Sequence, residues 1–129
     1  MIKTVNKIAL IGATSRREKY GNIIFRDLIN KGYKVFPVNP ALKEIEGYKV
    51  FNDIGLLPED PDLYVFVIPW RSGLKTVKEL IDKGKNNFWF QPGAESPEIK
   101  EYFKDKKGIK FSLNRCIMVK SMKRGDLEF

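Results

Sequence analysis

The segment KIALIGATSRREKYGN, residues 7–22, decides the fold of this chain. Its first part, residues 8–11, is an uninterrupted apolar run, as expected of a β-strand buried on both faces. Gly12 follows directly, and glycine permits the sharp turn or close backbone approach that this position needs. Polar and cationic residues come next, before an amphipathic helix. The segment therefore predicts a strand, a glycine turn and the start of a helix.

Such an arrangement can bind an anion, because free backbone N–H groups and the positive end of the helix dipole meet there. Thr14 and Ser15 add hydroxyl groups. Arg16, Arg17 and Lys19 add positive charge. Phosphate is the ligand that this chemistry favours. The alternative is a turn with a purely structural role, since many α/β domains contain one.

Length and composition indicate a single domain. The chain has 129 residues, of which 43% are hydrophobic and 31% are charged. This length is enough for a core without disulfides, and no apolar run approaches the roughly 20 residues of a membrane helix. The first residues show no signal-peptide core, and the single cysteine, Cys116, excludes an internal disulfide. We expect one cytoplasmic domain, 1–129, with its core at 7–119 and a flexible tail at 120–129.

The charge is strongly positive, with 24 lysines and arginines against 16 acidic residues, a net +8. This excess favours an anionic partner, although a solvated lysine-rich surface accounts for it equally well. The chain has no histidine, which excludes histidine metal ligands and Ser-His-Asp triads, and we expect no metal site. We expect no nucleic-acid binding, because the sequence has no helix-turn-helix, RNA-recognition signature or basic stripe.

Apolar periodicity and the positions of glycine and proline predict the other elements. Further strands are predicted at 34–38, 63–68, 88–90 and 109–113. The first helix is predicted at 20–31. A second helix is predicted to begin at a Ser72 cap and to end at about residue 83, and a third to begin at a Ser96 cap followed by Pro97. In the first helix, Tyr20 is predicted to face the core and Asn22 to face solvent. We expect a loop at 41–51 ending in a short strand, one helical turn at 53–57, and 116–119 extending or following the last strand.

This order of elements implies a parallel sheet with right-handed crossovers. In such sheets the ligand lies beyond the carboxyl ends of the strands, where the strand order reverses. Five segments rich in glycine, proline, hydroxyl or amide residues are predicted at those ends: 12–19, 38–40, 68–72, 91–95 and 114–116. Their convergence predicts a nucleotide-like ligand.

The identity of the nucleotide is narrowed by what the glycine turn lacks. The dinucleotide fingerprint G-x-G-x-x-G needs more glycines than residues 12–17 contain, and no acidic residue follows the second strand to bind a ribose. NAD is therefore disfavoured, whereas NADP stays open because Arg16 or Arg17 could bind a 2′-phosphate. The chain has no Walker A loop, so we do not expect ATP hydrolysis of that type.

Five segments in order resemble the small stand-alone CoA-binding domain proteins: IALIGATSRREKYGN, GYKVFPVNP, VFVIPWRS, WFQPGAES and NRCIMV. They are similar, more distantly, to the N-terminal domain of the succinyl-CoA ligase alpha subunit. The likeness covers about residues 7–119. It implies a Rossmann-like three-layer α/β fold with a five-stranded, mainly parallel sheet, and coenzyme A (CoA) as the ligand.

The resemblance also implies positions for the parts of CoA. The phosphates would lie near Gly12, Ala13, Thr14, Ser15 and Arg17, with Arg16 beside them. The adenosine would lie near Val38, Asn39 and Pro40, and against Ile68, Pro69 and Trp70. The pantetheine arm would pass Gln91, Pro92 and Gly93. Two interpretations of Trp70 stay open, because its ring could stack on adenine or cover the sheet edge.

The function implied is binding of CoA or an acyl-CoA without catalysis of its own. The ligase relatives perform phosphoryl chemistry through a histidine in another domain, and this chain has no histidine. The sequence shows no paired carboxylates and no nucleophile–base set, so we predict no catalytic residue. An NADP-binding redox sensor or reductase is the alternative, although 129 residues leave no room for the usual substrate domain.

Cys116 closely follows the fifth predicted strand and is therefore predicted on the ligand rim. Arg115 beside it could favour the reactive thiolate, and a mixed disulfide with the CoA thiol would then be geometrically feasible. The alternative is an inert cysteine packed beneath the strand end, because free cysteine is among the most buried residue types.

Overall fold

The computed structural model of the protein describes residues 5–120. Within them the strands are β1 (Lys7–Ile11), β2 (Lys34–Val38), β3 (Glu44–Ile45), β4 (Tyr48–Lys49), β5 (Leu63–Phe66), β6 (Asn87–Phe90) and β7 (Lys110–Ser112). The α-helices are α1 (Tyr20–Asn30), α2 (Trp70–Asp82), α3 (Pro97–Phe103) and α4 (Ile117–Lys120). The four further main-sheet strands and the first helix were predicted to within two residues at each end.

Five of the strands form one parallel sheet in the order β2-β1-β5-β6-β7. The strand order reverses between β1 and β5, as in other doubly wound α/β folds. The short strands β3 and β4 form a separate antiparallel hairpin. The predicted Rossmann-like fold with a five-stranded sheet is therefore confirmed.

The core has two halves, one on each face of the sheet, because successive residues of a strand point to opposite faces. On β1, Ile8 and Leu10 belong to the half that includes α1 and α4. Ala9 and Ile11, between them, belong to the half that includes α2 and α3. Helices thus cover both faces, which gives three layers and explains why the strands read as apolar runs.

The starts of two helices test the predicted caps. At α3 the Ser96 cap is confirmed, because its Oγ accepts a hydrogen bond of 3.2 Å from the N–H of the third helical residue, and Pro97 comes first. The prediction that Ser72 caps α2 is wrong, since that helix begins two residues earlier, at Trp70. Pro69 stands at the cap position with φ −54°, and its ring fixes the backbone near the helical φ without a capping hydroxyl.

The buried side of α1 differs in part from the prediction. Tyr20, predicted to face the core, is 67% exposed, and Asn22, predicted to face solvent, is fully buried. The apolar stripe consists of Ile24, Phe25 and Leu28, and Asn22 lies at its margin. Residues from the loop after β1 and from the β3–β4 hairpin hydrogen-bond to Asn22 there. Tertiary contacts, not helical periodicity, therefore decide its burial.

The remaining segments complete the described chain. The predicted loop 41–51 contains the β3–β4 hairpin, and Phe51 forms a single bridge to Val38. A 3-10 turn at Ile54–Leu56 lies inside the predicted helical turn, and 117–120 form a helix after β7. Lys120 is the last described residue, so the rest of the predicted flexible tail lies outside the described part of the chain.

Two kinds of functional feature, a membrane-spanning helix and a metal-ligating cluster, are absent from residues 5–120. In this part of the chain no helix has the length and apolar character needed to span a bilayer. No group of three or more Cys, Asp or Glu side chains in the same residues is placed to hold a metal ion.

Candidate functional site

The carboxyl ends of the five parallel strands lie along one edge of the sheet, which we call the carboxyl rim. The predicted segments 12–19, 38–40, 68–72, 91–95 and 114–116 each follow one of these strands, and the topology therefore brings all five to the rim. The first and third of them flank the point between β1 and β5 where the strand order reverses. Ligands of open α/β sheets bind at this point.

Two glycines allow the backbone to pack closely at this point. Gly12 has φ +105°, and a Cβ atom there would lie 2.4 Å from the carbonyl oxygen of Val67. A Cβ atom on Gly21, in the first turn of α1, would lie 2.2 Å from the carbonyl oxygen of Gly12. The end of β1, the chain after β5 and the start of α1 therefore meet through backbone atoms, with no room for a side chain between them.

Asn39 connects the turn after β2 to the turn after β1. Its Nδ2 donates to the carbonyl oxygen of Ala13 at 2.9 Å. Its Oδ1 accepts from the backbone N–H groups of Ala41 and Leu42 at 2.9 and 3.2 Å. Asn39 therefore lies on the rim with both ends of its amide bonded inside the protein. Ala13 itself is fully buried, so its side chain packs inside the protein and does not face solvent at the rim.

Asn22 holds the loop between β1 and α1, and the sequence interpretation missed this role. Its Nδ2 donates to the carbonyl oxygen of Thr14 at 2.9 Å. Arg26 donates from Nε to Asn22 Oδ1 at 2.6 Å and from Nη2 to the carbonyl oxygen of Arg17 at 3.0 Å. The available signal was a polar amide directly after a glycine in the first helical turn, where side chains can bond the preceding loop.

The two predicted phosphate arginines lie on the surface of this loop. The side chains of Arg16 and Arg17 are 68% and 65% exposed. Arg16 Nε bonds Glu18 Oε1 at 3.0 Å, and Arg17 Nη1 lies 3.9 Å from Glu46 Oε1. Hydrogen bonding to its own backbone and then the charge of Arg16 hold the pKa of the Glu18 carboxyl below its usual value. Both guanidinium groups are thus accessible to an anion from solvent.

Trp70 lies at the start of α2 on the same rim. It is half-buried and packs against the core half that contains Phe66 and Phe90, next to Ile68. The guanidinium carbon of Arg71 lies 4.6 Å from the centre of the Trp70 ring. A cation from its own chain therefore lies over this half-buried ring.

Gln91 and Cys116 meet at the far end of the rim. Gln91 is buried, and its Oε1 accepts from the N–H of Ile117 at 2.7 Å. Its Nε2 donates to Cys116 Sγ at 3.4 Å, and Cys116 is partly exposed. The guanidinium carbon of Arg115 lies 5.1 Å from the centre of the Trp89 ring, and its Nε donates to Ser112 Oγ at 3.1 Å. Pro92 and Gly93, which follow Gln91, are both exposed on the rim.

The sequence matches the family model described as CoA binding domain over residues 6–122. It is 36% identical, over 56% of its length, to ADP-forming acetate–CoA ligase I of Archaeoglobus fulgidus. It is 35% identical, over 60% of its length, to the alpha subunit of ADP-forming acetate–CoA ligase II of Pyrococcus furiosus. The aligned regions span 10% and 17% of these relatives, so the likeness concerns one part of much longer proteins.

Solved structures of small proteins match nearly the whole fold. A conserved hypothetical protein from Pyrococcus furiosus superposes with a TM-score of 0.83 at 49% identity, covering 90% of this chain and 99% of that one. A hypothetical protein from Pyrococcus horikoshii superposes with a TM-score of 0.80 at 30% identity, covering 89% and 80%. The resemblance stated from the sequence is confirmed by these comparisons together with the family match.

The close backbone contact at Gly21 leads to a first prediction. Gly21→Ala should lower the free energy of unfolding by about 1–3 kcal/mol, the usual cost of forcing atoms into a packed site. Urea denaturation followed by tryptophan fluorescence measures this. Gly73→Ala is the matched control, because the nearest atoms to its Cβ, on Phe90, Phe66 and Ile68, would lie at 3.4–3.9 Å, an ordinary contact distance. Alanine also favours a helix by about 1 kcal/mol over glycine. Equal effects of the two changes would contradict the prediction.

Proposed function

The chain belongs to the CoA-binding domain family, and we propose that it binds coenzyme A or an acyl-CoA across the carboxyl rim, without catalysis of its own. The observation that carries this proposal is the orientation of the loop between β1 and α1. Two consecutive carbonyl oxygens, those of Ala13 and Thr14, accept hydrogen bonds from side chains of other elements, and this directs the negative ends of those peptide groups into the protein.

The groups that suit phosphate are left on the outside of this loop. Within residues 5–120, the backbone N–H groups of the same two peptides, those of Thr14 and Ser15, have no protein acceptor. The Arg16 and Arg17 side chains are exposed beside them. CoA carries a diphosphate and a 3′-phosphate, and charge-assisted hydrogen bonds from backbone N–H and guanidinium groups are the strong contacts for such anions.

We place the remaining parts of CoA along the rim from this loop. The adenosine lies near Val38, Asn39 and Pro40, and against Ile68, Pro69 and Trp70. The pantetheine arm passes Gln91, Pro92 and Gly93 and ends toward Cys116. This placement is supported by the topology, because each of these residues lies at or after the carboxyl end of a strand of the same parallel sheet. It also spans the reversal of strand order, where such sheets bind ligands.

A binding role without phosphoryl transfer is supported by the amino-acid composition. The chain has no histidine to carry a phosphoryl group. The alternative of an NADP-binding sensor or reductase finds no support in the family match, which names CoA.

Ligand-dependent stability tests this function. CoA and acetyl-CoA should raise the melting temperature, because a ligand at about 100 times its dissociation constant adds roughly 2.7 kcal/mol to the stability. NAD, NADP and ATP at the same concentration should have little effect. Dephospho-CoA, which lacks the 3′-phosphate, separates the contribution of that group. A clear shift with NADP and none with CoA would favour the redox alternative.

The arginines of the loop can be tested by charge removal. The double change Arg16→Ala, Arg17→Ala should weaken CoA binding by about 1–3 kcal/mol and flatten its salt dependence, because exposed ionic contacts are screened by salt. Titration calorimetry at low and high salt measures both effects. The control is Lys104→Ala, Lys107→Ala, which removes the same charge between α3 and β7, at the other end of the strands. Unchanged affinity of the arginine variant at low salt would show that both side chains serve only solvation.

The position of Cys116 supports a further prediction. If the pantetheine arm ends nearby, the thiolate should attack CoA disulfide, forming a protein–CoA disulfide and releasing one CoA thiolate. Intact-mass measurement should then show one CoA adduct on the native protein and none on Cys116→Ser. The control reagent is hydroxyethyl disulfide, which lacks the nucleotide and should react more slowly. An equal rate for both reagents, or an adduct formed only after denaturation, would contradict this placement.

A further inference from the structure

The turn of the β3–β4 hairpin contains a glutamate in an unfavourable backbone conformation. Glu46 has φ +49° and Gly47 has φ +82°, so both central residues of this two-residue turn lie in the left-handed region. Turns of this kind prefer asparagine, aspartate or glycine at the first position. A glutamate persists there only if other interactions hold it, and such positions are enriched at functional sites.

The side chain of Glu46 reaches the loop that we propose as the phosphate site. Its Oε2 accepts from Asn22 Nδ2 at 3.3 Å, and its Oε1 lies 3.9 Å from Arg17 Nη1. Only 26% of the side chain is exposed, against 65% for that of Arg17. The same Asn22 amide group donates to the carbonyl oxygen of Thr14. The hairpin carboxylate therefore accepts a hydrogen bond from the amide that also bonds the loop, and it forms a long ion pair with the loop residue Arg17.

We infer that Glu46 is an internal competitor of the ligand: its carboxylate pairs with Arg17 and lowers the affinity for the phosphates of CoA. This inference rests on the proposed function and adds a residue that sets the strength of binding. A ligand phosphate that bonds Arg17 has to replace the carboxylate or accept a like charge beside it. Either event makes the binding free energy less favourable than it would be without the charge of Glu46.

Position distinguishes Glu46 from the other acid near the loop. Glu18 belongs to the loop itself and pairs with Arg16, both of them largely exposed, so a water-screened pair is separated at little cost. Glu46 comes from a different element, and only 26% of its side chain is exposed, so its charge is less screened by water than that of Glu18. The competition therefore acts between the hairpin and the loop.

The test separates the charge of Glu46 from its hydrogen bond. Glu46→Gln keeps an oxygen that can accept from Asn22 and removes only the charge. CoA should then bind about two- to fivefold more tightly at low salt, in line with the strength of partly exposed ion pairs, and the gain should shrink at high salt. The matched control is Glu44→Gln, which removes the same charge from an exposed position on β3, opposite Lys49. Its affinity should equal that of the wild type.

A double-mutant comparison tests the route through Arg17. In an Arg17→Ala background, Glu46→Gln should no longer tighten binding, because the competed group is gone. Weaker binding by Glu46→Gln, equal effects of the two glutamine variants, or a gain that persists without Arg17 would each overturn the inference, while wild-type CoA binding would leave the proposed function standing. If neither the wild type nor any variant binds CoA, the proposed function fails and the inference fails with it.

Discussion

The structure depends on a steric constraint where β1, β5 and α1 meet. Gly12 turns the chain at φ +105° with its α-carbon against the backbone after β5, and Gly21 brings the first turn of α1 against the carbonyl oxygen of Gly12. No side chain fits at either contact. Because these contacts fix the distance between helix and sheet, they also fix where the loop between them emerges. The position of the candidate site is thus a consequence of backbone packing.

Given that position, side chains of neighbouring elements decide which polarity the loop presents. Asn39, Asn22 and Arg26 each donate to a carbonyl oxygen of the loop. A peptide group whose oxygen is bonded inward directs its N–H the other way, so successive bonds of this kind favour an anion-binding surface. The net positive charge of the chain adds long-range attraction but cannot create this local order. Amide side chains, which carry no charge, therefore help to orient the loop of the candidate site.

The sequence predicted the parts of this arrangement that depend on local patterns. The apolar runs at β1 and β5, the glycine after β1 and the Ser96–Pro97 start of α3 follow from rules that act over a few residues. The burial of Asn22 and the exposure of Tyr20 were predicted wrongly. Helical periodicity does not take into account the hydrogen bonds of Asn22 to the carbonyl oxygen of Thr14 and to the carboxylate of Glu46, which lies 24 positions away. The pairing of Glu46 with Arg17 was not predicted either, since it joins residues 29 positions apart through a hairpin whose turn lacks the usual asparagine or aspartate.

The same distinction bears on how this chain can differ from the homologous segments of the related ligases. The sheet, the glycine contacts and the inward bonding of the loop set where an anion lies, and they depend on buried backbone and amide groups that tolerate little change. The charges around the loop set how tightly the anion is bound, and these charges lie on exposed or partly covered side chains. An acidic residue on a separate hairpin can therefore change affinity without altering the fold. On the proposed function, different residues carry the geometry of the site and the strength of binding, and only the first group is constrained by folding.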